Sequence, residues 1–386
     1  MQEECLRNEL LAEVESIAPI LAEHAASSEK LGRLDDPSIE AVRSTRLLRM
    51  FCPRELGGLE VHPVTAILVL EALARIDGSA SWTIGILSSA ALFAGPYLTP
   101  AAARRIYAGG VSPMAGSFLP KGQAEPVAGG YRVRGRWPYA SGIHHADWVL
   151  AGAFVSDKPG PAGSRLIVLP KEQVVIHDNW QVAGLKGTGS CDFSIENVIV
   201  PKEMTCPLMD VILGHAVTGG PSVRLGLPAG VASFHIGIPL GIARRALDEI
   251  TTQAIEKGRG FPPSPLPTQP HFQYALGKAE IELASARALA LQLLSELYAE
   301  VEAGGSPPPP RQAQARAAST YITEIAQHVT STAFQAAGGG ALFDTNPLQR
   351  CFRDVLAAGQ HFAVSQTSYQ ALGQFKLNQS DANPML

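Results

Sequence analysis

The sequence predicts an α+β protein built in three parts: an N-terminal helical domain, a central antiparallel β-barrel or sandwich, and a C-terminal four-helix bundle. Three observations carry this reading. Apolar residues recur at helical spacing over residues 1–111, short β-rich runs broken by glycine and proline fill 112–210, and helical spacing returns over 211–386. A length of 386 residues, at roughly 150 per domain, fits two to three domains of usable core size.

Each element has its own signal. Leu6, Leu10, Val14, Ile17 and Leu21 form one apolar stripe of an opening helix. A turn over 32–37 precedes a shorter helix near 38–48, and Pro53-Arg54-Glu55-Leu56-Gly57-Gly58 interrupts the chain before the next. Segments 63–76 and 79–97 are apolar almost all round, which predicts burial on most sides. Strands are expected at 131–134, 148–154, 165–169, 174–176 and 193–200, with Gly129-Gly130 turning a hairpin and a plain turn at 158–161. Four long helices are expected at 231–255, 272–301, 311–337 and 347–375, joined by proline-rich connections at 261–270 and 304–310 and by the Gly338-Gly339-Gly340 turn. Residues 379–386 read as frayed.

Composition narrows the function classes. Hydrophobic residues make up 46% and charged residues 17%, a globular balance, and a net charge of −4 argues against a broad nucleic-acid surface. The opening Met1-Gln2-Glu3-Glu4-Cys5 lacks the basic and apolar regions of a signal peptide, and no run approaches roughly 18 uninterrupted apolar residues. The five cysteines are scattered with no CxxC pair, so neither a disulfide framework nor a cysteine zinc site is expected. A cytoplasmic enzyme with no membrane or nucleic-acid partner is the expectation.

Common motifs fail. In Gly184-Leu185-Lys186-Gly187-Thr188-Gly189-Ser190 the lysine precedes the second glycine, unlike a phosphate-binding loop, and no third glycine and helix follow as in a dinucleotide fingerprint. The triple glycine at 338–340 follows a helix, not a strand. There is no HExxH, and His144-His145 with Asp147 alternate faces if they lie on a strand, so no metal site is expected.

Three constellations remain. Gly135-Arg136-Trp137-Pro138-Tyr139-Ala140-Ser141-Gly142 ends a strand in a loop with aromatic rings, a hydroxyl and a glycine, which suits a flat heterocycle or an ordinary turn at a barrel rim. Arg350, Asp354 and His361 share a stripe about 40° wide if the last helix is continuous, with Arg350 and Asp354 expected as an ion pair. Residues 184–192 form a loop of backbone donors and hydroxyls, either a phosphate nest or a plain strand connection.

With these residues in view, the chain resembles the acyl-CoA dehydrogenase fold, and within it the branch of two-component flavin-dependent monooxygenases. The markers run nearly the whole length: Pro53-Arg54-Glu55-Leu56-Gly57-Gly58, Asp77-Gly78-Ser79-Ala80-Ser81-Trp82, the segment WPYASGIHHADW from Trp137 to Trp148, Trp180-Gln181-Val182-Ala183-Gly184 running on to Ser190, and Leu348-Gln349-Arg350-Cys351-Phe352-Arg353-Asp354 with His361. The resemblance implies reduced FMN or FAD supplied by a separate reductase, transiently or by diffusion, with O2 and a small organic substrate oxygenated through a flavin hydroperoxide. It also implies a homotetramer. Ser141 would hold the flavin N5 edge, and His361, an imidazole near its working pKa, would promote oxygen activation or deprotonate the substrate. Trp137 would pack near the isoalloxazine, with Gly142 beside it. Ser117, Thr188 and Ser190 would contact flavin or phosphate, while Arg259 and the segment holding Gln335, Gly338 and Gly339 would reach a neighbouring subunit's cofactor.

A dehydrogenase of this fold needs a carboxylate base, which by resemblance falls at Phe362 or near Val231, neither acidic, and no glutamate follows Glu324. A dehydrogenase or oxidase with an unrecognised base, and a flavin-less binding scaffold, stand as alternatives. Phenol hydroxylases of the branch tend to carry a further histidine about eight residues after Trp82, where this chain reads Ser88-Ser89-Ala90-Ala91. The oxygenated atom, carbon, nitrogen or sulfur, is therefore left open.

Overall fold

A computed structural model describes residues 2–110, 112–157, 160–259 and 264–385, without the side chains of Pro161 and Arg259. The turn read at 158–161 and the start of the 261–270 connection therefore fall partly outside the described residues.

Five helices come first: α1 (Gln2–Leu31), α2 (Asp36–Arg43), α3 (Pro63–Ile76), α4 (Gly78–Phe93) and α5 (Pro100–Tyr107). Short polar side chains set their starts. Asp35, Asp77 and Thr99 accept the backbone N–H groups of Ser38, Ala80 and Ala102, satisfying donors that the first turn leaves unpaired. Every α4 residue except Ile86 is buried, which is why its pattern shows no polar face and why Trp82 is held deep in the molecule.

The sheet comprises β1 (Met114–Val127), β2 (Gly130–Ala140), β3 (Trp148–Val155), β4 (Ser164–Pro170), β5 (Val175–His177), β6 (Cys191–Pro201) and β7 (Thr205–Pro207). Their order is β5-β6-β2-β1-β3-β4-β7. β1 and β2 form the expected hairpin, with Val127 opposite Gly130 and Gly129 at φ 80°. The expectation of a purely antiparallel barrel is corrected: β1 and β3 run parallel, from Met114 opposite Trp148 to Ala124 opposite Val155, and the strand order is open, with β5 and β7 at its ends. The parallel pairing arises because the 3-10 turn Ile143–His145 lets the chain return to lie along the far side of β1.

The C-terminal part holds α6 (Leu208–Leu213), α7 (Gly226–His235), α8 (Gly237–Ile255), α9 (Pro270–Glu302), α10 (Pro309–Ala337), α11 (Pro347–Ala358) and α12 (Thr367–Lys376), plus a small ladder of β8 (Gly258–Arg259) with β9 (Ser264–Pro265). The most apolar helical stretch, Pro221–Ile255, has a mean hydropathy of 1.5 over its richest window and that window is entirely buried, so it forms core. The single last helix expected over 347–375 is two helices, α11 and α12, and His361 lies in the break between them. Nor is the tail simply frayed: Met385 returns to line the cavity described next.

Candidate active site

Between α4, the β1–β2–β6 part of the sheet, α6–α7 and the α11–α12 break lies a cavity of about 690 Å³. Its wall is largely apolar, with one continuous polar seam. Trp82 Nε1–H donates to Ser141 Oγ at 3.0 Å, Ser141 and Ser190 hydroxyls meet at 2.6 Å, Ser190 and Thr188 at 2.7 Å, and Thr188 Oγ1 donates to the Leu185 carbonyl at 2.8 Å. Each hydroxyl has one proton and two lone pairs. The carbonyl can only accept, so Thr188 donates to it, Ser190 donates to Thr188, and Ser141 donates to Ser190. The indole can only donate, so it fills one Ser141 lone pair. Ser141 is left with one lone pair and no uncommitted proton, an acceptor for an incoming N–H. The loops meet through Gly142, whose backbone N–H donates to Thr188 O at 2.8 Å and whose φ of 73° is the left-handed conformation that glycine adopts without strain.

His361 owes its place to the break in the last helix. A helix end leaves carbonyls without partners. Here Ala358 O and Val355 O accept the backbone N–H groups of His361 and Gly359, and side chains from elsewhere add further bonds: His235 Nε2 bonds Ala358 O at 3.2 Å, Gln327 Nε2 bonds Val355 O at 3.4 Å, and Arg316 Nη2 bonds Phe362 O at 3.2 Å. The His361 ring stacks on His235 with centroids 5.1 Å apart and interplanar angle 21°, and meets the Trp82 ring edge-on at 5.5 Å. The Ala363 N–H donates to His361 Nδ1 at 3.4 Å, which puts the proton of the neutral ring on Nε2. Burial first, and the His235 ring second, push the His361 pKa well below 6.5. The expectation of an imidazole near its working pKa is thus corrected: His361 is neutral at physiological pH. Burial likewise lowers His235 to about 4.

The expected Arg350–Asp354 ion pair does not form. Arg350 Nε pairs with Glu29 of α1 at 2.9 Å, and Arg353 Nη1 joins the same carboxylate at 2.6 Å. Asp354 Oδ1 accepts the Leu185 N–H at 2.6 Å and so anchors the loop that carries Thr188 and Ser190. Burial, then the charge of Asp77, raises the Asp354 pKa from 3.8 to about 7. A carboxyl raised in this way adds stability that is full below the unfolded value of 3.8 and is lost as pH climbs through 7. Asp354→Asn keeps an acceptor for Leu185 without the charge. Its melting temperature relative to the native protein is expected to rise between pH 5 and pH 8, by the equivalent of about 1–3 kcal/mol. An equal difference at both pH values would contradict this role.

The structure brings Ser117, Ser141, Thr188, Ser190 and His361 onto one cavity wall. Trp137 is not there. It is fully buried inside the sheet, stacked on Phe193 at 5.2 Å with its indole N–H on Gly152 O at 2.7 Å, because inward-facing positions of β2 pack against β6. Tyr139 and Trp180 line the cavity instead, edge-on at 6.4 Å. Gln335, Gly338 and Gly339 lie at the end of α10, away from the cavity lining, and the Arg259 side chain lies outside the described residues. Sequence reasoning missed Trp82 as a hydrogen-bond donor and His235 altogether. The signal for His235 was present: it is the one imidazole in the uncharged run from Leu225 to Ala243. Among the described residues, no Asp, Glu, Lys or Arg lines the cavity; Val231 and Phe362, where a dehydrogenase base would stand, are both on its wall.

Fold and site together define a protein of the acyl-CoA dehydrogenase fold whose cavity offers an imidazole and hydroxyls but no carboxylate. Residues 234–366 match the family model described as acyl-CoA dehydrogenase, C-terminal domain. Indole-3-acetate monooxygenase of Pseudomonas putida is 32% identical over 339 residues, 87% of this chain and 85% of that protein. The flavin-dependent monooxygenase, oxygenase subunit HsaA, of Rhodococcus jostii is 27% identical over 91% of this chain and 93% of its own length. The solved structure of XiaF from Streptomyces sp. in complex with FADH2 and glycerol superimposes with a TM-score of 0.93 at 23% identity, covering 100% of this chain and 99% of that one. The chain belongs to the two-component flavin-dependent monooxygenases of the acyl-CoA dehydrogenase fold.

Proposed function

We propose that this chain is the oxygenase component that uses reduced FMN or FAD, received from a separate reductase by diffusion or transient contact, to oxygenate a small organic substrate of aromatic or natural-product type. The observation that carries this reading is the cavity wall: among the described residues His361 is its one imidazole, and no carboxylate stands at either position from which an acyl thioester would lose its α-proton. The residues fit a reduced flavin. Ser141 Oγ has a lone pair for an N–H at the ring's N5 edge, Thr188 and Ser190 hold that oxygen in place, and Ser117 adds a hydroxyl that bonds no other described residue. Tyr139 and Trp180 offer the aromatic faces first assigned to Trp137. The bound flavin supplies the electrons by which one atom of O2 is transferred to substrate and the other leaves as water.

His361 holds its proton at Nε2 and gives that N–H to oxygen as negative charge grows on it; the ring does not act as a base, because its Nδ1 is engaged and its charged form is strongly disfavoured. Phe234, Leu227, Val231 and the α6 side chains Leu208 and Ile212 keep bulk water from the polar seam. The functional unit is a cytoplasmic homotetramer in which Arg259, Gln335, Gly338 and Gly339 reach a neighbour's cofactor phosphate, a charge that a guanidinium suits. The test supplies NAD(P)H, a flavin reductase, O2 and a panel of aromatic compounds including indole. Protein-dependent formation of a product heavier by one oxygen atom is expected; anaerobic bleaching of the bound flavin by an acyl-CoA thioester would overturn the reading.

A further inference from the structure

Outside the cavity, three side chains from separate segments converge on one point. They are His144 in the turn after β2, Asp178 just beyond β5, and Cys191 at the start of β6. His144 Nε2 lies 3.0 Å from Asp178 Oδ1 and 3.6 Å from Cys191 Sγ, and the sulfur lies 3.9 Å from the same carboxylate oxygen. We propose that these three residues bind a zinc ion, with a fourth position open to water on the exposed Asp178 side.

The distances are those of a ligand set. Zinc bonds of about 2.0 Å to nitrogen and oxygen and about 2.3 Å to sulfur, at tetrahedral angles, separate nitrogen from oxygen by about 3.3 Å and sulfur from either by about 3.5 Å. Each separation given above lies within about 0.4 Å of this pattern before any ion draws the ligands in. The chief alternative for a thiol, imidazole and carboxylate is a nucleophilic triad, and the geometry excludes it. A triad needs the thiol on one ring nitrogen and the carboxylate on the other. Here both approach Nε2, as donors around a shared cation do.

The surroundings suit the ion. Burial pushes the Cys191 thiol up, while the backbone N–H groups of Trp180 and Asn179 act on the sulfur in the opposite sense and would support it once it is metal-bound. On coordination the Cys191 proton passes to solvent, and thiolate plus carboxylate balance the two positive charges. Lys171 Nζ is bonded to the His144 carbonyl at 3.2 Å, and the Arg33 and Lys171 charges, which disfavour a cation at His144, are opposed there by Asp178. The site sits beside the middle of the cavity's polar seam, since Cys191 follows Ser190 directly and His144 lies three residues after Ser141. The three ligands lie on separate segments of the chain, so no short sequence spacing marks them.

The test uses the untagged full-length protein, stripped with chelator and titrated with Co2+ and then Zn2+. One Co2+ per chain is expected, with a sulfur-to-cobalt charge-transfer band and visible d–d bands of tetrahedral intensity, displaced by one equivalent of Zn2+. Asp178→Asn, an exposed change that leaves the fold intact, is expected to weaken Zn2+ binding by about tenfold or more, and Cys191→Ser to abolish the charge-transfer band. Cys5→Ser, which alters the exposed Cys5 on α1, is expected to change neither. No stoichiometric Co2+ binding, octahedral spectra without the sulfur band, or affinity unchanged in both Asp178→Asn and Cys191→Ser would overturn the proposal.

Discussion

Replacing His361 with asparagine is expected to lower the yield of oxygenated product by a factor of about 10² to 10³, the usual effect of removing one preorganised donor from a site of developing negative charge. The ring stands alone in this role: it is the one imidazole on the cavity wall, and no charged side chain among the described residues lies there to substitute for it. His235 cannot take over, because its Nε2 is held by the Ala358 carbonyl. Flavin binding is expected to persist, since the polar seam from Trp82 to Leu185 does not pass through His361. The measurement is product formed per NAD(P)H consumed, alongside a flavin binding isotherm. The native protein should also hold its activity from pH 8 down past 6.5, with loss only well to the acid side, because protonating a buried imidazole is unfavourable. Native-like turnover in His361→Asn would reduce the residue to a packing role.

The second large effect is expected from Ser141→Ala. Removing this hydroxyl deletes the middle of a four-donor chain, strands the Trp82 N–H in a buried site, and takes away the acceptor lone pair. An unsatisfied buried donor costs about 1–3 kcal/mol, so the variant is expected to be less stable as well as impaired. Its catalytic signature is uncoupling: NAD(P)H and O2 are still consumed, but hydrogen peroxide rises and product falls by about tenfold or more, equivalent to roughly 1.4 kcal/mol or greater. Equal peroxide yields in native and variant protein would remove Ser141 from the mechanism. Ser141→Thr, which retains the hydroxyl, should recover part of the coupling.

Much of this site was visible in the chain before folding was considered. Ser141, Thr188, Ser190 and His361 stand out where hydroxyl and imidazole groups interrupt apolar patterns, Ser117 within β1 follows from the family resemblance alone, and the fold gathers all five on one wall. What the pattern concealed has physical causes. Beyond the hairpin turn at Gly129-Gly130, β1 carries no strand signal, because Gly116, Pro120, Gly122 and Pro126 look like punctuation. Two of these glycines are demanded by close approach: a Cβ on Gly116 would lie 2.0 Å from the Leu150 carbonyl, and one on Gly122 would lie 2.1 Å from the Trp137 ring. The break after α11 carries no proline; the side chains of His235, Arg316 and Gln327 add bonds to its carbonyls, and such long-range partners leave no local trace. Arg350 and Asp354 show the same limit. Their shared helix face was legible, but the partner of Arg350 lies 321 residues away on α1.

The central claim is that a water-excluding cavity with an imidazole, and without a carboxylate, lets reduced flavin and O2 react productively. Rapid mixing of the protein–reduced FMN complex with oxygenated buffer, without substrate, tests it most directly by following oxygen consumption and the return of oxidised-flavin absorbance together. The account predicts that oxygen disappears first and the oxidised absorbance returns after a lag, shortened by Ser141→Ala. Simultaneous oxygen loss and flavin reoxidation, at the rate seen for free reduced FMN, would contradict it.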